Sequence, residues 1–280
     1  MICRKSHQPR QRHPKEFPNE FIAFLKETSA NIAAVCIDGA IVFMCMDWRH
    51  LGEMLAAGEA VFSELKNLIV WNKTSPGQGS FYRSQHELIF AWKAGAGEHV
   101  NAFGLGAHGR MRANVWTYAG ANVFKSGRLA DLALHPTVKP VALVADALRD
   151  CSMKGDIVVD PFMGSGTTIM AAEKVGRRAY GMDLDPLYVD VAIRRWQAAT
   201  KADVTLAADG RTFEEIAAER ASEESTTAAA GSPPQSDAAQ TGDRIGEGDG
   251  TRDLQGGEDG VALAEVKRAG RAPSTEERDR

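Results

Sequence analysis

Ile157-Val158-Val159-Asp160-Pro161-Phe162-Met163-Gly164-Ser165-Gly166-Thr167-Thr168 decides the fold. Three β-branched residues in succession predict a buried parallel strand. An acid ends the strand, and Gly164 and Gly166 follow in a tight turn. Glycine lets the backbone turn sharply and approach a ligand closely. Residues 169–175 then predict a helix, whose first N–H groups would face whatever lies above the strand end. Strand, acid, Gly-x-Gly and helix in this order predict an open α/β sheet that holds a nucleotide-like cofactor.

A second parallel strand is predicted over Arg178-Ala179-Tyr180-Gly181-Met182-Asp183, completing a β-α-β unit. Asp183 stands 17 residues after Gly166, near the offset at which an acid binds ribose hydroxyls. No Gly-Lys-Ser/Thr follows the glycines, which argues against a P-loop. A nicotinamide-dependent oxidoreductase shares the β-α-β unit. It is disfavoured because Pro161-Phe162 follows the acid directly and the pattern reads Gly-x-Gly-x-x-Ile.

Working upstream, Pro140 opens a helix with Val141, Val144, Ala145 and Leu148 on one face. Residues 67–71 and 87–92 predict two strands of a long hairpin with a Gly-rich tip bearing Lys73 and Arg83. Residues 40–46 predict a buried strand, residues 50–65 a helix, and residues from 19 onwards an amphipathic helix. Residues 94–112 read as a flexible loop and 115–118 as a short strand. Downstream, helices are expected over 187–199 and near 212–220, with an edge strand at 204–206. The expected division is a disordered basic leader at 1–18, one domain at 19–220, and a disordered acidic tail at 221–280.

Charge follows that division. Residues 201–280 hold 10 Lys/Arg against 18 Asp/Glu, leaving 23 against 19 in residues 1–200. A mildly basic body permits a nucleic-acid partner without demanding one. Cys3, Cys36, Cys45 and Cys151 show no Cys-x-x-Cys pair and no His at metal-ligand spacing, so no metal is expected. Cys36 and Cys45 read as core residues of apolar strands, which suits a reducing cytoplasm. No apolar run reaches membrane-spanning length, and the first 15 residues lack the apolar core of a signal peptide.

Three motifs together are more specific. Asp160-Pro161-Phe162-Met163-Gly164-Ser165-Gly166-Thr167-Thr168, His135-Pro136-Thr137-Val138-Lys139-Pro140 and Gly181-Met182-Asp183-Leu184-Asp185-Pro186-Leu187-Tyr188 resemble, in order, the motifs of the amino-group (N4-cytosine/N6-adenine) DNA methyltransferases. Asp47-Trp48-Arg49, Trp71-Asn72-Lys73 and Arg83-Ser84-Gln85-His86-Glu87 resemble further segments of that family, over roughly residues 20–220. The resemblance implies a Rossmann-like methyltransferase fold in permuted motif order, with S-adenosylmethionine as cofactor and double-stranded DNA as partner. It implies that Thr137 and Lys139 face the methionine carboxylate. Asp160, Pro161, Gly164, Ser165, Gly166 and Thr167 hold the methionine part, Phe162 closes over the cofactor, and Asp183 takes the ribose.

The family's catalytic motif, an Asp, Asn or Ser followed by Pro-Pro and an aromatic, is absent, so no catalytic residue is identified. It belongs before the helix at 19–35, where Arg10-Gln11-Arg12-His13-Pro14-Lys15 stands instead. The sole Pro-Pro, Pro233-Pro234, precedes Gln235, which cannot stack on a base. A central strand is therefore expected to be missing beside residues 157–160, as in a product truncated or frame-shifted at its N-terminus, or one completed by a partner segment. Arg49, Lys73 and Arg83 are the expected DNA contacts, with Arg110, Arg112 and Lys125 as further phosphate candidates. The expected function is methyl transfer to adenine N6 or cytosine N4 in DNA, within a restriction-modification setting. The alternative is an inactive or purely DNA-binding remnant.

Overall fold

The computed structural model describes residues 2–3, 17–77, 81–106, 109–120, 138–230 and 263–265. Two compact units divide the chain: residues 1–202 with 262–266, and residues 203–261 with 267–280. In the first unit, strands β1 (Ile2–Cys3), β2 (Ile41–Met46), β3 (Glu64–Asn72), β4 (His86–Lys93) and β5 (Val115–Thr117) form one sheet in the order β1-β2-β4-β3-β5. A second sheet, β6-β7-β8, contains β6 (Ile157–Asp160), β7 (Arg178–Met182) and β8 (Leu263–Glu265). Helices α1 (Phe17–Val35), α2 (Leu51–Glu59), α3 (Val141–Cys151), α4 (Thr167–Val175) and α5 (Pro186–Thr200) complete the unit.

Strand alternation sorts the first sheet's side chains onto two covered faces. Val42, Met44 and Met46 of β2 and Leu88, Phe90 and Trp92 of β4 pack with Leu25 of α1 and with Met54 and Ala57 of α2. Cys45, Ile89 and Ala91 point the other way, into a core with Leu143, Val144 and Leu148 of α3 and Ala171, Ala172 and Val175 of α4. Antiparallel pairing to β2 and β3 on both edges completes the burial of β4. Trp92 stacks between Phe62 and Phe90, at centroid distances of 5.7 and 6.1 Å. Gly58 makes room for it, since a Cβ there would overlap the indole.

The second sheet differs from expectation in burial. β6 is parallel to β7, with Asp160 opposite Gly181, as its sequence predicts. Val158 and Ala179 pack on the α3–α4 core. Ile157 and Val159, on the opposite face, remain 55% and 45% exposed. Among the described residues β6 pairs with β7 alone, and α1 and α2 are engaged on the first sheet. Ile2 and Cys3 pair in parallel with Met44 and Cys45 of β2, so part of the expected leader is a strand; residues 4–16 lie outside the described residues.

Several boundaries move. The helix expected at 50–65 is a short 3-10 turn, Trp48–His50, followed by α2, and β3 begins at Glu64 because Ser63 is already bonded to Lys93. Cys36 follows α1 and is half-buried rather than lying in a strand. In the second unit the edge strand expected at 204–206 reduces to a single bridge, Thr205–Thr212. Helix α6 (Phe213–Ala230) runs ten residues past its expected end, consistent with the high helix propensity of its Ala and Glu residues. Its start is a capping box, with Thr212 N donating to Glu215 Oε2 at 2.7 Å and Glu215 N to Thr212 Oγ1 at 3.3 Å. Tail residues 231–262 and 266–280 lie outside the described residues. Among those described, no helix is long and apolar enough to cross a membrane, and no cluster of His, Cys, Asp and Glu could hold a metal.

Candidate active site

The β6–α4 turn is assembled by Asp160 from below and Asp183 from the side. Asp160 is buried; Oδ1 accepts from Phe162 N at 3.1 Å and Oδ2 from Thr168 Oγ1 at 2.5 Å. Gly164 N donates to Asp183 Oδ2 at 2.9 Å, while Asp185 N donates to Oδ1 at 3.0 Å. Met163 N also reaches Met182 O at 3.1 Å. These bonds fasten the turn across the end of β7. The crossing is tight: a Cβ on Gly181 would come 2.5 Å from Met163 Sδ. Gly164 and Gly166 adopt φ of 51° and 77°, the left-handed region where glycine carries no Cβ penalty.

Two expected ligand residues serve packing. Ser165 is buried, and both its carbonyl and its Oγ accept from Arg195 Nη1 on α5, the latter at 2.8 Å. Gly166 packs on α5, where a Cβ would lie 2.6 Å from that of Ala192. Thr167 Oγ1 donates to Lys139 O at 3.4 Å and so ties the start of α4 to the approach to α3. Pro161 and Phe162 are half-buried, and Phe162 packs against the core of the first sheet. Thr137 lies outside the described residues, as does Lys125.

Lys139 is buried, with Nζ 3.3 Å from Glu87 Oε1; Lys73 Nζ lies 2.6 Å from Glu87 Oε2. Lys73 also sits 4.6 Å from the Trp71 ring centroid. One buried carboxylate at the start of β4 thus joins the hairpin base to the α3 approach. The sequence reading missed this role for Glu87, although a lone acid opening the apolar run Leu88–Trp92 was a visible signal. Lys73 is therefore anchored inside the protein rather than free for phosphate.

The other basic candidates separate as well. Arg83 donates from Nε to Gly77 O at 2.9 Å and from Nη2 to Pro76 O at 3.2 Å, and stays exposed. Arg49 is exposed and lies 3.6 Å from Asp47. Arg110 and Arg112 converge on the buried Asp150 of α3, each at 2.8 Å, so they brace the 109–117 segment against α3. Burial pushes the Asp150 carboxyl up despite both guanidinium groups. Burial also pushes Asp146 up, but bonds from the Tyr118 hydroxyl (2.5 Å) and Arg149 (2.9 Å) outweigh it and hold that carboxyl down.

Comparison with known proteins decides the family, because residues 6–194 match the one described as DNA methylase, of the N6/N4 class. The chain belongs to the N6/N4 DNA methylase family. The type II methyltransferase M2.DpnII of Streptococcus pneumoniae is 29% identical over 191 residues, covering 65% of this chain and 67% of the relative. For two further type II methyltransferases the aligned stretch covers 51% and 30% of the relative's length. In fold, the chain is similar to the cytosine-N4-specific PvuII DNA methyltransferase, with a TM-score of 0.58, 15% identity, and coverage of 69% and 77% of the two chains. It is also similar to M1.HpyAVI, solved as a complex with S-adenosylmethionine, with a TM-score of 0.53, 21% identity, and coverage of 66% and 85%. The methylase architecture is thus a Rossmann-like α/β fold.

S-adenosylmethionine is the family's cofactor, and the donor set at the turn suits it. Two carboxylates, Asp160 and Asp183, stand at the C-terminal ends of adjacent parallel strands, where open α/β sheets take ligands. Each is oriented by loop N–H or O–H groups, and a carboxylate is the acceptor that an ammonium or a ribose hydroxyl requires.

Proposed function

We propose that this chain holds S-adenosylmethionine at the β6–α4 turn for methyl transfer to an exocyclic amino group, N6 of adenine or N4 of cytosine, in double-stranded DNA. The observation that carries the reading is the pair of oriented carboxylates, Asp160 and Asp183, across the strand ends. The cofactor supplies a methyl group already activated on a sulfonium. What this chain adds is position. Asp160 would face the ammonium, Asp183 the ribose hydroxyls, and Phe162 the cofactor's flank. Pro161, Gly164, Ser165, Gly166 and Thr167 would shape the turn around it, and by the family's motif Thr137 and the Lys139 segment would face the carboxylate. Holding donor and acceptor in line supplies most of the rate in such a transfer. A cytoplasmic restriction-modification pair is the setting this reading favours.

The absence of an Asp/Asn/Ser-Pro-Pro-aromatic run favours a second reading. In it the chain binds donor and DNA but transfers nothing until another segment presents the amine. Calorimetry and a methyl-transfer assay separate the two. Wild type is expected to bind S-adenosylmethionine and Asp160→Ala to lose that binding; no wild-type binding at millimolar cofactor sinks the proposal. Methylation of duplex DNA by the purified 280-residue chain refutes the second reading.

A further inference from the structure

The β3–β4 hairpin ends in an arrangement that the donor site leaves unexplained. Phe81 and Tyr82 are 86% and 85% exposed. Their ring centroids lie 4.3 Å apart with planes at 57°, so the two rings touch each other while facing water. Neighbouring aromatic rings left this open mark a contact surface.

The backbone that presents them is braced. Lys73 N donates to Gln85 O and Gly77 N to Ser84 O, both at 2.8 Å. Gln85 Nε2 reaches Asn72 Oδ1 at 3.1 Å, and Arg83 ties the return strand to Gly77 and Pro76. Both Arg83 bonds end on carbonyl oxygens, which accept without neutralising the guanidinium. Residues 72–86 contain Lys73, Arg83 and His86 and no carboxylate. With Lys73 held by Glu87, Arg83 is the exposed cation of this tip.

Flat apolar faces beside an uncompensated cation, on a tip free of acids, fit a polyanion that offers π-faces. We propose that Phe81 and Tyr82 form a base-stacking wedge that contacts opened steps of duplex DNA, with Arg83 beside the phosphates. This rests on the DNA-methylase reading and adds the element that would engage a base outside the stack. Enzymes that modify a base must first unstack it, and apolar wedges between base steps are one way to do so.

The test uses the full 280-residue chain and a duplex containing 2-aminopurine. Phe81→Ala/Tyr82→Ala is expected to weaken duplex binding about tenfold or more, the range for lost base–aromatic stacking, and to abolish the rise in 2-aminopurine emission. Tyr82→Phe keeps both, whereas Phe81→Leu/Tyr82→Leu does not restore them. The salt dependence of binding stays unchanged in the double alanine variant, because no phosphate contact is lost. Melting temperature and S-adenosylmethionine affinity stay at wild-type values, since both rings are exposed and outside the donor turn. Equal duplex binding by wild type and double variant overturns the wedge and leaves the DNA reading standing. A wild type that binds cofactor but no duplex overturns both. Loss of self-association in light scattering, with duplex affinity intact, assigns the pair to a second copy of the chain and also overturns the wedge.

Discussion

β4 and β6 are both strands rich in apolar residues, yet β4 is buried from Glu87 to Trp92 while β6 shows two of its four side chains to water. The difference lies in their neighbours. β4 has a strand on each edge and a helical layer on each face. Among the described residues, β6 has one strand and one covered face. An apolar strand is stabilised only by the surfaces it finds, so the same residue types carry very different weight in the two sheets.

The sharpest way to break the comparison is Trp92→Ala. It removes an indole held between Phe62 and Phe90 over Gly58 and is expected to cost about 3–5 kcal/mol, read by denaturant unfolding; a loss below 1 kcal/mol would show that the first core is loosely packed. Next is Glu87→Gln, which leaves Lys73 and Lys139 without their shared counter-charge. Breaking a buried ion pair costs about 3 kcal/mol or more, so the melting temperature should fall clearly, with partial recovery in Glu87→Gln/Lys73→Met.

The third prediction concerns pH. Desolvation, with Asp150 adding to it, pushes the Cys151 thiol up to about 12, from an ordinary value of 9.0. A raised folded-state value means that its contribution to stability is complete below about pH 9 and is lost as the pH climbs toward 12. The thiolate is the reactive form, so alkylation of Cys151 at pH 9 is expected to run roughly 100-fold slower in the folded chain than in urea. Equal rates would contradict the desolvation of this thiol at the C-terminal end of α3. The smallest effect is expected at Val159→Thr. A hydroxyl placed on an exposed face should change stability by less than about 0.5 kcal/mol, whereas Val42→Thr in β2 should cost about 1–3 kcal/mol. If Val159→Thr costs as much as Val42→Thr, something covers β6 in solution.

Much of the β6–α4 turn was legible. The turn at 160–166 is encoded locally by glycines and a strand-ending acid, and both Asp160 and Asp183 are where their spacing placed them. The β3–β4 hairpin was legible for the same reason, from two apolar runs around a turn-rich tip. What escaped were partners distant in sequence. Lys73 and Lys139, 66 residues apart, meet only because Glu87 lies between β3 and the α3 approach. Arg110 and Arg112 look like free surface charge until α3 brings Asp150 against them. Ser165 resembles a ligand residue until Arg195 claims it from α5.

By itself, then, the sequence determined the local chemistry: an acid at a strand end, a glycine turn that only a residue without Cβ can make, and the family to which these motifs belong. It also carried the lack of a Pro-Pro-aromatic run in the position the family uses. Tertiary structure alone decided which charges are spent on the protein and which remain for a ligand, and which apolar residues are core. Both depend on what the rest of the chain brings within a few ångströms, and neither charge pairing nor burial is a property of a residue in isolation.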